Sequence, residues 1–438
     1  MPTAAASHIP SASHQPGTTP IVLPAWTTAQ IAAEAERVLT PNYRNAPLVF
    51  THGEGPWNIA EDGRRYLDFS AGVAVNGLGH NHPDLVAALR EQVGLLIHQS
   101  NYWHNAHAVP LAADLCARFS AANSAATGKE EPSRCFFCNS GAEGTEATVK
   151  MARRFHAIVQ GKPKPGVVTV HGSFHGRTYA AMTATAQPKY QEGFAPLVPD
   201  FRYAEFGDLA SIAAQIDDTV GAVLIEVVQG EGGVRVPPPG FFAGLRQLCT
   251  DKGVLLCLDE VQTGLGRTGT FFAFEQEGID ADIIWLAKAL GGGVPVGAVL
   301  AKAHVAAAFA PGTHASTFGG NALACVAGRV TLAIFDRDNL VAHTAAVGAY
   351  LLQQLQQSFA GQPYAVDVRG RGLMCGVQVT GDPRAVVEEA RRRGLLLSVA
   401  GHDVLRMTPP LIVTRDHVAQ AVQTLRAAAD AVLLPAAA

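Results

Sequence analysis

Ile283 to Gly297 reads "IIWLAKALGGGVPVG". Five apolar residues run straight into Lys288, and three glycines, Gly291 to Gly293, follow almost at once. The apolar run is the length of a buried strand. A lysine at its end costs desolvation free energy unless its charge is paired, lost or converted by bonding. Three glycines cost chain entropy and pack nothing. Lys288 is one of only eight lysines and the only one with this setting. The bland reading is a strand-end lysine whose ammonium reaches solvent. The sharper one is a nucleophilic amine that condenses with an aldehyde, beside glycines that let backbone pass close to a flat ring.

Outward from this stretch, short apolar runs alternate with helical patterns between residues 130 and 302. The expected strands are Arg134–Cys138, Val167–Val170, Ala222–Glu226, Val254–Asp259, Ile283–Ala287 and Gly297–Ala301. That alternation predicts an α/β fold with a mainly parallel sheet covered on both faces, and ligands at the carboxyl ends of its strands. From about residue 312 the pattern changes. Long helices (Asn321–Arg337, His343–Phe359), strands Leu373–Val379 and Val404–Met407, and a last helix after Thr414 predict a smaller α+β domain. The expected organisation is a disordered arm over 1–25, a segment over 26–75 whose hairpin "WNIAEDGRRYLDF" joins the small domain, a large domain over 76–311 and the small domain over 312–438.

The chain has 438 residues, long enough for two cores. Its net charge of −4 gives no electrostatic reason to expect nucleic acid or an anionic membrane as partner. No apolar run approaches a membrane span. Seven cysteines without framework spacing, and no lysine or arginine before Arg37, lead to the expectation of a reducing cytoplasm rather than secretion or organelle import.

A pyridoxal phosphate site makes further demands. It needs a carboxylate against the ring nitrogen, and "VLLCLDEVQTG" ends its apolar strand on Asp259. Glu260 would point to the other face and is read as structural. It needs a phosphate cradle, and "RCFFCNSGAEGTEATVKMARRF" passes from strand through Ser140, Gly141 and Ala142 into a helix whose first N–H groups suit an anion. Phe174, just past a strand in "VHGSFHGRT", could cover the ring. A competing pattern is "GLGRTG", Gly264 to Gly269, with Asp282 downstream, the shape of a dinucleotide fingerprint. Its glycines do not follow the strand directly, and "TFFAFEQEG" is a poor helix. Cys135 and Cys138 lack a second pair, so no metal site is expected. His80 and His82 are better read as turn residues before Pro83.

Together, "NSGAE", "FHGRT", "QGEGGV", "LDEVQTGLGRTG", "AKALGGGVPVGA" and "STFGGN", in this order, resemble the class III pyridoxal-phosphate aminotransferases. The likeness covers roughly residues 40 to 430 and is strongest to the acetylornithine branch. It implies the aspartate aminotransferase-type fold (fold type I), pyridoxal 5'-phosphate as cofactor, and a homodimer with shared active sites. It makes Lys288 the Schiff-base lysine, with Asp259 on the ring nitrogen and Gln262 on the ring hydroxyl. Ser140, Gly141 and Ala142 would hold phosphate, Phe174 would stack, Glu226 would border the cofactor, and Thr317 would reach the neighbouring subunit's phosphate. For substrate, it implies Arg406 for an α-carboxylate, Arg177 for a distal carboxylate, Glu231 as a counter-charge to Arg406, and Tyr43 nearby. The implied reaction passes the ω-amino group of N-acetylornithine, or a close relative, to 2-oxoglutarate, giving glutamate. Ornithine, succinylornithine and 4-aminobutyrate are the alternative donors. The chain departs from the family pattern at Val227 and Ala322, where proline is usual, and at Thr145. Val73 stands where ornithine-using members tend to have tyrosine, which favours an N-acylated donor.

Overall fold

The computed structural model describes residues 25–434. The expected disordered arm over 1–25 lies, but for its last residue, outside them. Among the described residues the strands form three sheets.

The first sheet begins with β1 (Phe50–Glu54), β2 (Trp57–Ala60) and β3 (Arg65–Asp68). The hairpin expected around "WNIAEDGRRYLDF" is the β2–β3 pair. The large sheet contains β4 (Ser133–Cys138), β5 (Gly166–Val170), β6 (Phe201–Ala204), β7 (Val220–Glu226), β8 (Leu255–Asp259), β9 (Ile283–Leu286) and β10 (Gly297–Lys302). Its order is β4-β10-β9-β8-β7-β5-β6, and only β10 runs antiparallel to its neighbours. The remaining strands are β11 (Ala365–Arg371), β12 (Met374–Val379), β13 (Leu395–Leu396), β14 (Ser398–Ala400) and β15 (Val404–Met407). β11, β12, β15 and β14 make an antiparallel sheet, while β13 pairs in parallel with β3. The N-terminal hairpin and the C-terminal segment therefore share a sheet.

Strands β7, β8 and β9 are buried at every position, which explains their Val/Leu/Ile runs without alternation. Trp285 on β9 is fully buried, and Gly144 of the helix Gly141–Arg154 sits against it: a Cβ there would meet the indole at 2.8 Å. Burial of each large side chain contributes about 1.5–3 kcal/mol. One core cluster runs from Leu67 and Phe69 through Ile225 and Leu258 to Leu411 and Leu425. The small sheet is thus packed onto the large one rather than hung beside it. Helices begin where the capping chemistry says: Asn321 caps Ala322–Arg337 and Thr414 caps Arg415–Leu433. β6 and β11 were not expected; Phe201–Ala204 and Ala365–Arg371 mix charged with apolar residues and carry a weak period.

The dinucleotide reading of "GLGRTG" fails on geometry. Residues 261–270 form successive turns, not a glycine loop opening a helix on the sheet. Asp282 is consumed by a buried ion cluster, 2.8 Å from Arg246 and 3.2 Å from Lys302. Glu260 anchors this turn segment. It is 1 % exposed and accepts from Thr263 Oγ1 (2.7 Å) and the Phe274 N–H (3.0 Å). Burial raises its pKa to about 7 from 4.5. The folded state therefore favours the proton. This contribution is complete below about pH 4.5 and is lost as pH rises through about 7. Glu260→Gln should remove it, so melting temperature should decline less between pH 5 and 7.5 in the variant than in the wild type. Parallel slopes in thermal melts across that range would reject this.

Candidate active site

The carboxyl ends of β4, β5, β7, β8 and β9 converge on one cavity of about 440 Å³. Each strand delivers its residues where it stops. β4 gives Asn139, Ser140, Gly141 and Ala142; β5 gives Phe174, His175 and Arg177 through the loop beyond it; β7 ends on Glu226 and passes to Glu231. β8 ends on Asp259 and continues to Gln262, and β9 leads through Ala287 to Lys288. Arg406 comes from the other sheet, on β15, and bonds Glu231 (2.5 Å) and Gln262 (3.3 Å).

Lys288 has φ of +45°, a strained setting for a residue with a Cβ. Burial lowers its pKa below the ordinary lysine value and Arg406 adds to this, against the pull of Glu231, Asp259 and Glu226. The three glycines divide their work. Gly291 packs on Val296 and Gly292 on Leu85, while Gly293 lines the cavity with φ of +114°. Only the last answers the expectation that glycine brings backbone beside a ring.

Asp259 is fixed at both oxygens. Its Oδ1 accepts the Val261 N–H (3.0 Å) and its Oδ2 lies 2.7 Å from His175 Nδ1. His175 is fully enclosed; burial alone would lower its pKa, but Asp259 raises it above the ordinary value. Glu226 accepts the N–H groups of Phe174 (3.0 Å) and Gly230 (3.1 Å), and burial raises its pKa to about 7. It holds the Phe174 loop in place. For Glu231, burial pulls the pKa up, but Arg406 outweighs it and the carboxyl stays below its ordinary value.

Ser140 caps the helix Gly141–Arg154 by accepting from the Glu143 N–H (3.2 Å). Gly141 and Ala142 are the first two helical residues, whose N–H groups have no intrahelical acceptor. The loop after β5 closes against them because Gly176, at φ of +130°, has no side chain: a Cβ would meet that of Ala142 at 2.6 Å. Two free amides at a helix start, a carboxylate locked at a strand end, an apolar ring on Phe174 and a lysine of lowered pKa fit pyridoxal phosphate.

Two expected residues lie elsewhere. Tyr43 is 78 % exposed and lines a separate groove with the helix Thr28–Val38. Thr317 is exposed on the loop before Asn321 and does not line the cavity of its own chain. Val73 is partly exposed outside the cavity, which Val75 lines instead. Around it, Ala71, Gly72, Val73 and Ala74 all have positive φ, held by Asp68, which accepts the N–H groups of Ser70 and Ala71. His80, 2.9 Å from Asp68, is part of that support. Sequence reasoning missed His175 and Tyr190. His175 stood inside "FHGRT", between two residues that drew the attention. Tyr190 gave no signal at all.

The sequence model of "Aminotransferase class-III" matches residues 38–429. The acetylornithine aminotransferase of Gloeobacter violaceus is 46 % identical over 395 residues, 89 % of this chain and 95 % of that protein. That of Aquifex aeolicus is 42 % identical over 388 residues, 89 % and 98 % of the two chains. Among solved structures, the ornithine aminotransferase of Toxoplasma gondii superposes with a TM-score of 0.86 at 32 % identity, covering 92 % of this chain and 95 % of that one. The N-acetylornithine aminotransferase of Stenotrophomonas maltophilia gives 0.76 at 36 % identity, covering 91 % and 98 %. A cavity built from the carboxyl ends of the large sheet, and a family match that runs through nearly all of the described chain, lead to one assignment: the chain belongs to the class III aminotransferases.

Proposed function

We propose that this enzyme moves the ω-amino group of N-acetylornithine, or a close N-acylated relative, to 2-oxoglutarate. The single observation that carries this reading is the Glu231–Arg406 pair, in which Glu231 lines the cavity and Arg406 lies buried behind it. Pyridoxal phosphate, when bound, supplies a carbonyl open to amines and a ring that draws electrons from the carbon bearing the amine. Lys288, Asp259, Ser140, Gly141, Ala142, Gln262 and Phe174 would hold it, with Glu226 accepting the Phe174 N–H. Lys288 Nζ, with its lowered pKa, is a base able to take a proton from the substrate carbon and return it. Asp259, held by His175 at 2.7 Å, is the carboxylate that would meet the cofactor's ring nitrogen.

Arg406 and Arg177 differ in what they require of a substrate. Arg406 is buried and already carries Glu231 as counter-ion, whereas Arg177 is exposed and has no carboxylate partner among the described residues. An ω-amine donor can dock its carboxylate on Arg177 and leave the Glu231–Arg406 pair closed. Glutamate has two carboxylates and would open the pair to occupy both arginines. One cavity thus accepts both partners in alternating half-reactions, as in ping-pong kinetics. The acetylornithine aminotransferases among the relatives favour the N-acylated donor over free ornithine.

A homodimer completes the site in this reading. Leu95, Leu96, Ile97, Tyr102, Trp103 and Phe318 are exposed, and the two segments they come from are bonded together, Asn101 Nδ2 donating to the carbonyls of Ser316 and Gly319. Asn139 joins this patch to the cavity through Ser316 Oγ (3.3 Å). An apolar patch of this kind marks a partner surface, and it presents Thr317 outward, toward a second copy. The seven cysteines are free thiols, which suits the cytoplasm. No helix among the described residues is long and apolar enough to cross a membrane.

A panel of N-acetylornithine, N-succinylornithine, ornithine and 4-aminobutyrate with 2-oxoglutarate tests the donor; N-acetylornithine should give the highest kcat/KM, and a preference for free ornithine would overturn the reading. Lys288→Ala should lower turnover by about 10²–10⁴-fold or more, the contribution of a positioned acid-base group; near-normal turnover would remove Lys288 from its role. Mixed dimers of Lys288→Ala and Thr317→Ala chains should recover one full-affinity, active site per dimer, since the wild-type Lys288 of one chain then faces the wild-type Thr317 of the other. If Thr317 serves its own chain, cofactor titration will find no such site.

A further inference from the structure

We infer that Tyr190 is a positioning residue for dicarboxylate recognition, the platform that aims the Arg177 guanidinium into the cavity. This rests on the proposed role of Arg177 as the distal-carboxylate site. Arg177 makes no hydrogen bond or ion pair among the described residues, yet its Cζ lies 4.0 Å from the Tyr190 ring centroid and 5.5 Å from that of Phe174. An exposed arginine with free donors samples many rotamers, and ordering it on a ligand costs entropy. A ring face under the guanidinium plane removes much of that cost and leaves the N–H edge free for a carboxylate fork.

The platform is itself held. Tyr190 meets Phe174 edge to face at 5.8 Å. Its short helix, Pro188–Gln191, is tied down on both sides: Gln187 Nε2 donates to the Ser173 carbonyl (2.8 Å), next to Phe174, and Gln191 Nε2 to the carbonyl of Thr185 (3.0 Å), just past the helix Tyr179–Ala184. Lys189 Nζ lies 4.7 Å from the same ring, so two cations share Tyr190, of which Arg177 lines the cavity. The class of ligand this selects is a dianion whose far carboxylate ends beside Phe174.

The test compares calorimetric binding to the cofactor-loaded dimer of glutarate, a dicarboxylate with no amine or ketone to react, with the affinity of the same protein for pyridoxal phosphate, which carries no carboxylate for Arg177. Tyr190→Leu should weaken glutarate by about tenfold, the scale of a partly desolvated cation–π contact, and leave cofactor affinity within about twofold of wild type. Tyr190→Phe, which keeps the ring, should bind both ligands like wild type. Arg177→Gln separates the two ideas. If it leaves glutarate binding intact, the role of Arg177 is wrong. If it weakens glutarate while Tyr190→Leu does not, or if Tyr190→Leu weakens the cofactor equally, the platform is wrong.

Discussion

Arg406 cannot stand alone where it lies. Its side chain is 2 % exposed, and an unpaired guanidinium at that depth is prohibitive. Glu231 meets it at 2.5 Å, Gln262 at 3.3 Å and Ser398 Oγ at 3.1 Å. These partners come from the loop after β7, the turn after β8 and the neighbouring β14, so one buried cation fastens the small sheet to the large one at the place where the cavity opens. The pair also reaches Lys288, whose amine feels both Glu231 and Arg406. Removing either partner would leave the other charge buried, and both the domain contact and the lysine's basicity would change together.

The parallel sheet was legible because its strands are buried on both faces and so read as unbroken apolar runs. The site was legible for the same reason. A polar residue that ends such a run, as Asp259 does, stands out against what precedes it. Lys288 follows the same rule two residues past β9. β6 and β11 were not legible, because Phe201–Ala204 and Ala365–Arg371 lie partly exposed and alternate with charged residues. β13, two residues long, exists only because Leu395 and Leu396 meet Leu67 and Asp68 from the opposite end of the chain, and local sequence carries nothing of such a meeting.

Residues that act through others were the hardest to find. Glu226 holds Phe174 by its N–H, His175 holds Asp259, and Tyr190 holds Arg177 by its face. Their partners carry the chemistry that sequence reasoning looks for: a ring, a carboxylate, a cation. The supports are of ordinary type, and only distance gives them meaning. Thr317 and Tyr43 are the reverse case. Motif resemblance singles them out, but in one chain neither lines the cavity, and the proposed homodimer is what would bring them to a site.

The two arginines show why one cavity can serve two substrates without rebuilding. A buried cation must bring its own anion, and any carboxylate that comes to Arg406 has to displace Glu231, gaining a new pair only by breaking an old one. An exposed cation over an aromatic face needs no such partner, because water and the ring together satisfy it. A carboxylate at Arg177 displaces water alone. In the proposed assignment, the first carboxylate of a substrate goes to Arg177 at little penalty, and only a substrate with a second carboxylate, correctly spaced, has reason to open the Glu231–Arg406 pair. On this physical footing, discrimination between an ω-amine and an α-amino acid follows from unequal burial of two like charges.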